Sequence, residues 1–415
     1  MSATYDIDHV GSLGDGVAVA PSLRHIPFTL PGERVSVKGT DNERLVVEDP
    51  SPDRIKPSCP HFGTCGGCQL QHWSPGPYLA WKRDLVTRAF ARQKIDATID
   101  SIVGCPPASR RRATFTARKV EGKTRLGFME RKSERLVAIG PCPVLRPSLE
   151  AALSQLTDLA ATILRGNEDL SVAVLDANNG IAVSLVTEQT PSADMVTALV
   201  NVAAKAGFIQ VAMNGDVVFE RAAPVVSFGA AAITPPPGGF LQAVREAEDA
   251  MSALVVDHLS RAKRVADLFS GSGTFAARLA ARSRVHAVEA QSEALTALSS
   301  ASLPDGAKPL TTETRDLHDA PLHADELNRF DGLCLDPPRA GAAAQVEQIA
   351  KSTVPKLAYV SCDPKSLARD LAVLLKGGYR LKRVVPFDQF LFTPHVEVIA
   401  LLSKPKNRAK RSIFR

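Results

Sequence analysis

The sequence predicts an α/β protein in three parts: a small N-terminal β-barrel, a central α+β domain, and a C-terminal domain with a doubly wound, mostly parallel sheet. The first observation is length, because 415 residues exceed what one ordinary hydrophobic core serves. The second is the alternation of strand-like and helix-like stretches from about residue 242, which is typical of parallel sheets. The third is a pair of proline-rich stretches that place the domains at residues 1–50, 51–238 and 239–415.

The N-terminal domain has short strand-like stretches separated by glycine turns. This pattern predicts a small closed β-barrel, a kind of module that often binds nucleic acid. The alternative is a small β-domain that only packs against the rest of the chain.

The composition fits a globular protein with a polyanionic partner. The net charge is +6 and basic residues cluster at residues 110–112, 131–135 and 404–415, although solvated basic faces are the commoner explanation for any single cluster. The sequence has no uninterrupted apolar stretch of about 18 residues and no signal-like start, so we expect no membrane partner and a cytoplasmic location. Seven cysteines are an odd number, which argues against a disulfide framework and favours metal or catalytic use.

Three cysteines lie close together at the start of the central domain. Cys59, Cys65 and Cys68 are separated by turn-forming glycines, so their thiols can converge on one soft ion or cluster. A fourth ligand is needed, and Cys142 in its proline-braced turn is a better candidate than Cys105. Spacing leaves zinc and a [4Fe–4S] cluster both open, with zinc slightly favoured as the more frequent structural choice, and three free cysteines as the simpler alternative.

The rest of the central domain offers a basic helix and an arginine-rich strand. Residues 78–95 have apolar positions at helical spacing with basic residues between them. Arg110, Arg112 and Phe115 lie on a predicted strand, where arginines beside an aromatic ring suit phosphate pairing and base stacking. A charged edge strand would have the same pattern. Beyond them, a predicted helix over residues 149–164 and several strands carry no chemistry that we recognise.

A glycine turn opens the first helix after the first strand of the C-terminal domain. Asp267 lies in that strand, and Gly271 and Gly273 then allow a tight turn and close approach of the backbone to a ligand. Glu289 closes the next strand, where a carboxylate can accept hydrogen bonds from ribose hydroxyls. The same residues also match a dinucleotide-binding fingerprint, so the turn alone is ambiguous.

Two further carboxylate positions favour S-adenosylmethionine as the ligand of this turn. Asp267 lies shortly before Gly271, where an anion would face a cationic methionyl group rather than a pyrophosphate. Asp316 could accept a hydrogen bond from an adenine amino group. The alternative for the turn is a purely structural role in packing helix on strand.

Cys362 is the candidate nucleophile. It follows a buried-strand run at residues 357–361 and precedes Asp363 and Pro364, an N-cap residue and a proline at the first helical position. A thiol between a strand end and a helix start lies near free backbone N–H groups and a positive dipole end, and both favour the thiolate. The alternative for a lone cysteine is a small core residue.

The ends of later strands add the other reactive groups. Asp336 and Arg339 follow one strand and Glu397 lies at the last one, so a doubly wound sheet brings them into one crevice with Cys362. A thiolate and carboxylates beside a methyl donor suit methylation of a weak carbon nucleophile such as uracil C5. Cys362 would add to C6, Glu397 would remove the C5 proton, and Asp336 and Arg339 would hold the uracil edge or the enolate oxygen. Taken alone, Glu397 would be a surface carboxylate.

Taken together, these motifs closely resemble those of the RNA uracil-5-methyltransferases, specifically the iron-sulfur, TRAM-containing branch that modifies 23S ribosomal RNA. The middle region, residues 150–230, matches poorly. The blocks that carry the resemblance are GDGVA at 14–18, LPGERV at 30–35, the Cys59, Cys65 and Cys68 set, RRRA at 110–113, LGF at 126–128, CPVL at 142–145, FLQ at 240–242, DLFSGSGTF at 267–275, DPPRAG at 336–341, SCDPKSLARD at 361–370 and HVE at 395–397.

The resemblance implies a class I, Rossmann-like methyltransferase domain, a TRAM barrel that binds RNA, and a target uridine flipped out of a single-stranded or loop region of 23S ribosomal RNA. We expect a monomer. The family often has cysteine where this chain has Ser270, and we expect no effect on mechanism. The implied [4Fe–4S] ligands are Cys59, Cys65, Cys68 and Cys142. The implied donor-binding residues are Gln242, the turn residues Phe269, Gly271 and Gly273, Glu289 and Asp336; Asp267 and Asp316 join them from the argument on the two carboxylates above.

Two other functions remain open from the sequence. One is a non-catalytic RNA-binding or ribosome-assembly protein that keeps a methyltransferase fold. The other is a nicotinamide-dependent dehydrogenase built on the glycine turn, which would leave the cysteine set without a purpose.

Overall fold

A computed structural model describes residues 2–20, 22–38, 44–166 and 168–405 of the chain. The predicted short strands of the N-terminal region are present, and they form two three-stranded antiparallel sheets, β1-β5-β6 and β2-β3-β4, with one shared core. Most of the basic tail noted in the sequence, residues 406–415, lies outside the described residues. The strands are β1 (Ser2–Asp6), β2 (His9–Val10), β3 (Gly16–Ala18), β4 (Arg24–Ile26), β5 (Arg34–Lys38) and β6 (Arg44–Asp49).

The central region is built on a seven-stranded sheet in the order β10-β9-β8-β11-β12-β13-β14, with α3 and α4 packed on it through one apolar core. Its elements are α1 (Pro75–Arg92), β7 (Val103–Gly104), β8 (Arg112–Val120), β9 (Lys123–Met129), β10 (Leu136–Ala138), α2 (Pro147–Ala151), α3 (Leu153–Ile163), β11 (Leu170–Ala177), β12 (Gly180–Val186), α4 (Ala193–Ala206), β13 (Gln210–Met213), β14 (Asp216–Glu220), β15 (Val226–Phe228) and β16 (Ala231–Ile233). The single helix predicted over residues 149–164 is instead two helices that meet at Ala152.

The C-terminal region alternates strands and helices, as its sequence pattern predicts. Its elements are α5 (Arg245–His258), β17 (Arg264–Leu268), α6 (Ala276–Leu279), β18 (Arg284–Glu289), α7 (Ser292–Ser299), β19 (Leu310–Thr314), α8 (Ala324–Leu327), β20 (Gly332–Leu335), α9 (Ala343–Lys351), β21 (Lys356–Ser361), α10 (Pro364–Lys376), β22 (Arg380–Asp388) and β23 (Glu397–Ser403). No helix in the described ranges is both long and apolar enough to cross a bilayer.

The C-terminal sheet has the strand order β19-β18-β17-β20-β21-β23-β22, with β7 added at its edge. Strands β17 to β21 run parallel, and β23 runs antiparallel to both of its neighbours. The connection order reverses between β17 and β20, and this switch point opens a crevice at the carboxyl ends of the parallel strands. The carboxyl edge is therefore where a ligand site is expected.

Helix α1 and strand β7 precede the central sheet but pack on the C-terminal sheet. Val86 and Phe90 of α1 belong to the same apolar core as Tyr359 and Leu371, and Val103 of β7 pairs with Phe387 of β22. The chain thus contributes to the C-terminal layer before it builds the central sheet.

A buried ion pair joins the central sheet to the C-terminal region. Arg111, which precedes β8, is 2% exposed and donates hydrogen bonds to the Glu248 carboxylate of α5 and to the backbone oxygen of Gln242. Glu248 is fully buried and also accepts a hydrogen bond from Arg278 at 3.0 Å. A buried charge that loses a partner is costly, because little water is present to replace it.

We predict that Arg111→Met lowers the free energy of unfolding by about 3 kcal/mol, since it leaves the Glu248 charge buried with one partner fewer. The matched control is Arg118→Met, which removes the Asp169 ion pair at the surface and should cost about 1 kcal/mol or less. Urea unfolding of the two variants measures the difference. An Arg111→Met loss no larger than that of Arg118→Met would contradict the account.

Candidate active site

Strand register brings Cys362 and Glu397 to the same point of the sheet edge. Ser361, the last residue of β21, pairs with Val398 of the antiparallel β23. The next residue outward on each chain is therefore Cys362 on one side and Glu397 on the other. Asp336 follows directly after β20, the neighbour of β21 on its other side. Three acidic groups that are distant in sequence thus meet at one edge.

A chain of amide hydrogen bonds links the carboxylates of Glu397 and Asp336. Gln389 Nε2 donates to Glu397 Oε2 at 2.7 Å and to Gln242 Oε1 at 2.8 Å. Gln242 Nε2 donates to Asp336 Oδ2 at 3.1 Å. Gln389 and Gln242 are each 2% exposed. The sequence analysis missed Gln389, although a glutamine directly after a mostly buried strand that ends at the carboxyl edge was a usable signal.

Burial governs the protonation of this edge. It raises the pKa of Glu397 to about 8, with the negative charge of Asp336 adding to the effect and the hydrogen bond from Gln389 opposing it. It likewise raises the pKa of Asp336 to about 7, although the Gln242 hydrogen bond opposes this. Two neighbouring carboxyl groups that are shielded from water resist joint ionisation, so the raised pKa values favour retention of a proton here near neutral pH.

The sequence analysis expected a thiolate at Cys362, and the structure corrects this expectation. Burial, and after it the charges of Glu397 and Asp336, together raise the pKa of the Cys362 thiol to about 12. The helix start does not offset this, because Asp363 caps α10 and its carboxylate accepts from the backbone N–H groups of Lys365 and Ser366 at 2.9 and 2.8 Å. The resting cysteine is therefore a neutral thiol.

The glycine turn follows β17 at the same edge and has an unusual backbone. Phe269, Gly271 and Gly273 have φ values of 59°, 52° and 92°, a region in which a bulky residue such as phenylalanine is strained. Glu289 holds the turn, since its Oε2 accepts from Gly271 N at 3.0 Å. A Cβ atom at Gly273 would overlap the side chain of Leu298.

Asp267 and Asp316 flank this turn. Asp267 is fully buried, and neither carboxylate oxygen has a hydrogen-bond partner of good geometry within the described residues, although the Ala276 N–H and the Cys334 thiol lie close enough to lower its pKa slightly. Burial raises the pKa of Asp267 to about 8. Asp316 is exposed just beyond β19, next to the strand that carries Glu289. An orphaned acidic group under a glycine turn fits an amino-bearing ligand.

A second cluster lies in the central region. Cys59, Cys65, Cys68 and Cys142 all line one cavity of about 360 Å³, whereas Cys105 packs against the C-terminal core. Burial is the largest cause of the raised thiol pKa values of Cys65, Cys68 and Cys142. Among the described residues, no group of three or more His, Cys, Asp or Glu side chains is arranged to hold a metal ion.

Comparison with known proteins gives three consistent matches. A family profile described as tRNA (Uracil-5-)-methyltransferase matches residues 238–405. An uncharacterized RNA methyltransferase of Agrobacterium fabrum is 42% identical over 97% of this chain and 99% of its own length. The 23S rRNA (uracil(1939)-C(5))-methyltransferase RlmD of Shewanella frigidimarina is 32% identical over 95% of this chain and 93% of its own length. The chain belongs to the RNA uracil-5-methyltransferase family.

A solved structure confirms the fold of this methyltransferase. The tRNA (uracil-54, C5)-methyltransferase of Pyrococcus abyssi, in complex with S-adenosyl-L-homocysteine, superposes with a TM-score of 0.76 at 20% identity. The match covers 96% of this chain and 99% of the other. The predicted class I, Rossmann-like methyltransferase sheet is therefore correct, and the dehydrogenase alternative is excluded by family membership.

The predicted RNA contacts of the central strand require one correction. The ring of Phe115 is 1% exposed and packs against Phe128 in the apolar core, so it has no free face for a base. Arg110 and Arg112 line the cysteine cavity, and burial lowers the pKa of both guanidinium groups, that of Arg112 to about 10. Arg112 also lies over the ring of Phe240 at 4.5 Å.

A separate groove leads to Cys362. It has a volume of about 360 Å³, and Cys362 lies in its wall. Its basic lining residues are Arg88 and Arg92 of α1, Arg339 and Lys365. Arg339 is exposed and lies 3.7 Å from the Asp363 carboxylate. The opposite wall comes from the N-terminal region, which contributes Leu13 and Leu23 at 62% and 68% exposure.

We predict that Gly273→Ala weakens binding of S-adenosylmethionine at least tenfold, because the new Cβ meets Leu298 and the residue must keep a positive φ. The matched control is Gly306→Ala, which has a positive φ of 78° with open space around it. Isothermal titration with the donor compares the two. Equal affinity of both variants would contradict this reading of the turn.

Proposed function

We propose that this enzyme methylates C5 of a uridine in RNA, with S-adenosylmethionine as methyl donor, and that the RNA is 23S ribosomal RNA. The observation that carries the proposal is the register that sets Cys362 beside Glu397 at the edge occupied by Asp336. The RlmD relative supports the 23S substrate.

The chemistry follows from what C5 of uracil lacks. It is too weak a nucleophile to react alone, but a sulfur bonded to C6 gives it enolate character. In the proposed sequence the Cys362 thiol releases its proton to solvent in the groove, and Sγ bonds to C6 as the C5–C6 double bond opens to an enolate. C5 then takes the methyl group, and the donor leaves as S-adenosyl-L-homocysteine. Ionised Glu397 accepts the C5 proton, the S–C6 bond breaks, and the C5–C6 double bond returns with the thiolate released.

The bound donor supplies an electrophilic methyl group on a cationic sulfur. In the proposal, the turn residues Phe269, Gly271 and Gly273 form its backbone cradle, and Asp267 accepts from its amino group. Glu289 and Asp316 lie at the nucleoside end, and Gln242 and Asp336 border the reacting side. A positive charge beside Cys362 would lower the cost of forming the thiolate, which explains how a thiol that is neutral at rest becomes a nucleophile when both substrates are present.

RNA would reach this edge through the groove between α1 and the N-terminal region. Basic side chains at Arg88, Arg92 and Lys365 suit phosphate contacts, and the exposed leucines opposite suit unstacked bases. The target base must leave its stack, because Cys362 lies inside the groove wall. In this proposal Arg339 holds the uracil edge, and the N-terminal sheets form a TRAM-like RNA-binding barrel.

The cysteine cavity fits a [4Fe–4S] cluster. Four thiols line one cavity with room for more than a single ion, and no other described cysteine shares it. Cys59, Cys65, Cys68 and Cys142 would be the ligands, and the cluster would supply a structural cross-link among the segments that hold them. Arg110 and Arg112 beside it would offset the negative charge of a thiolate-ligated cluster.

We predict that RNA containing 5-fluorouracil at the target forms a covalent complex with the enzyme and donor, since fluorine cannot leave as a proton does. Cys362→Ala should abolish the complex and methyl transfer, whereas the control Cys105→Ala keeps both. Denaturing gel electrophoresis with labelled RNA detects the complex. Active enzyme without any adduct would refute the covalent mechanism, and absence of methyl transfer from labelled donor would support the non-catalytic alternative.

We predict that anaerobically purified protein is brown and carries about four irons per chain. Cys142→Ser should lose most of the iron, and Cys105→Ser should keep it, because only Cys142 shares the cavity of the other three thiols. Iron analysis and visible absorbance measure both variants. Colourless protein with one zinc per chain would overturn the cluster and leave the methyltransferase proposal intact.

A further inference from the structure

We propose that Gln389 is a positioning residue that orients Glu397 for removal of the C5 proton and ties it to Gln242 and Asp336 on the donor side. This inference rests on the proposed function, because it requires Glu397 to act as the base. It assigns a role in one step of the reaction to a residue that contacts neither of the reacting carbons.

The hydrogen-bond geometry fixes the amide of Gln389. Its nitrogen carries two hydrogens, and both are used, one toward Glu397 Oε2 at 2.7 Å and one toward Gln242 Oε1 at 2.8 Å. The reversed amide would place an oxygen against two acceptors, so only one orientation is favourable. The carbonyl oxygen has no partner among the described residues, and the two donated bonds alone therefore set the position of the side chain.

The residues on both sides of Gln389 are held by one buried lysine. Lys82 of α1 is fully buried, and its Nζ donates to the side-chain carboxylate of Asp388 and to the backbone oxygen of Phe390 at 3.0 Å. These are the residues directly before and after Gln389. A side chain whose two neighbours in the chain are tied to one buried cation in this way can hold another group in a fixed geometry.

The bridge also affects the charge of Glu397. Asp336 from the end of β20 and Cys362 from the end of β21 interact with it electrostatically. Asp388, paired with Lys82, follows the β22 residue that pairs with Glu397, and His395 lies two residues before Glu397 on its own segment. Burial and Asp336 raise the pKa of Glu397, and the bond from Gln389 lowers it. Loss of the bond therefore raises this pKa further. A smaller fraction of Glu397 is then ionised at neutral pH, and proton removal requires a higher pH.

The test uses Gln389→Met, which keeps the length and apolar bulk of the side chain but removes its amide. The matched control is Gln345→Met: Gln345 is also fully buried and bonds only to the backbone of Leu322, on the α9 side of the sheet. Expected for Gln389→Met is a slowing of about 10- to 100-fold in the decay of the covalent intermediate on ordinary uridine RNA. The rising limb of its pH profile should move to higher pH.

The earlier steps separate this inference from the proposed function. Adduct formation with 5-fluorouracil RNA does not need the base, so it should proceed in Gln389→Met within about threefold of the rate in Gln345→Met. No adduct in the unaltered enzyme would refute the proposed function itself. Adduct formation slowed as much as decay, a decay rate equal to that of Gln345→Met, or an unshifted pH profile would each overturn the role of Gln389.

Discussion

The constraint on which the site depends is that Asp336, Cys362 and Glu397 share one sheet edge, where Glu397 is buried and the other two are half-buried. Each can carry a negative charge, and a site with so little water cannot hold several such charges at once without a cation. Within the described residues, the structure meets this constraint with retained protons and with amide donors from Gln242 and Gln389, and no lysine or arginine is hydrogen-bonded to Asp336 or Glu397. A protonated site of this kind is unreactive until a cationic ligand binds, and a sulfonium donor is such a ligand.

The same constraint explains why segments outside the methyltransferase sheet are built into it. Lys82 of α1 neutralises Asp388 at the end of β22 and braces the loop that carries Gln389. Arg111 reaches from the central sheet to Glu248 and to the backbone of Gln242. Lys82 and Arg111 each lie one residue or one structural element away from the edge that carries Asp336, Cys362 and Glu397. They stabilise its acidic surroundings, so residues that precede the central sheet help to hold this edge in place.

Local rules in the sequence predicted much of this arrangement. The alternating elements of the C-terminal domain, the N-cap at Asp363 and the convergence of strand ends follow from periodicity, capping and parallel topology. The burial of Phe115 could also have been predicted from the sequence, because Ala113, Phe115 and Ala117 alternate with polar residues and so share the inward face of β8. The predicted base contact of Phe115 is wrong because it rested on the neighbouring arginines and not on the alternation of apolar and polar residues along the strand.

Other features depend on contacts that no local pattern contains. The choice between Cys142 and Cys105 requires knowing which loop folds over the Cys59 segment. The raised pKa of Cys362 results from its burial, from carboxylates on two other strands and from an N-cap residue that already binds the helix amides. Gln389 can be recognised as a partner of Glu397 only once β22 and β23 are paired. In each case the deciding partner lies far away in sequence.

The most direct test is the pKa of the Cys362 thiol, measured from the pH dependence of its alkylation by mass spectrometry of the Cys362 peptide. We predict a pKa well above the ordinary cysteine value in the free enzyme. S-adenosylmethionine should lower it, and S-adenosylhomocysteine, which lacks the sulfonium charge, should not. A thiolate already present near neutral pH in the free enzyme, or an equal effect of the two ligands, would contradict the account.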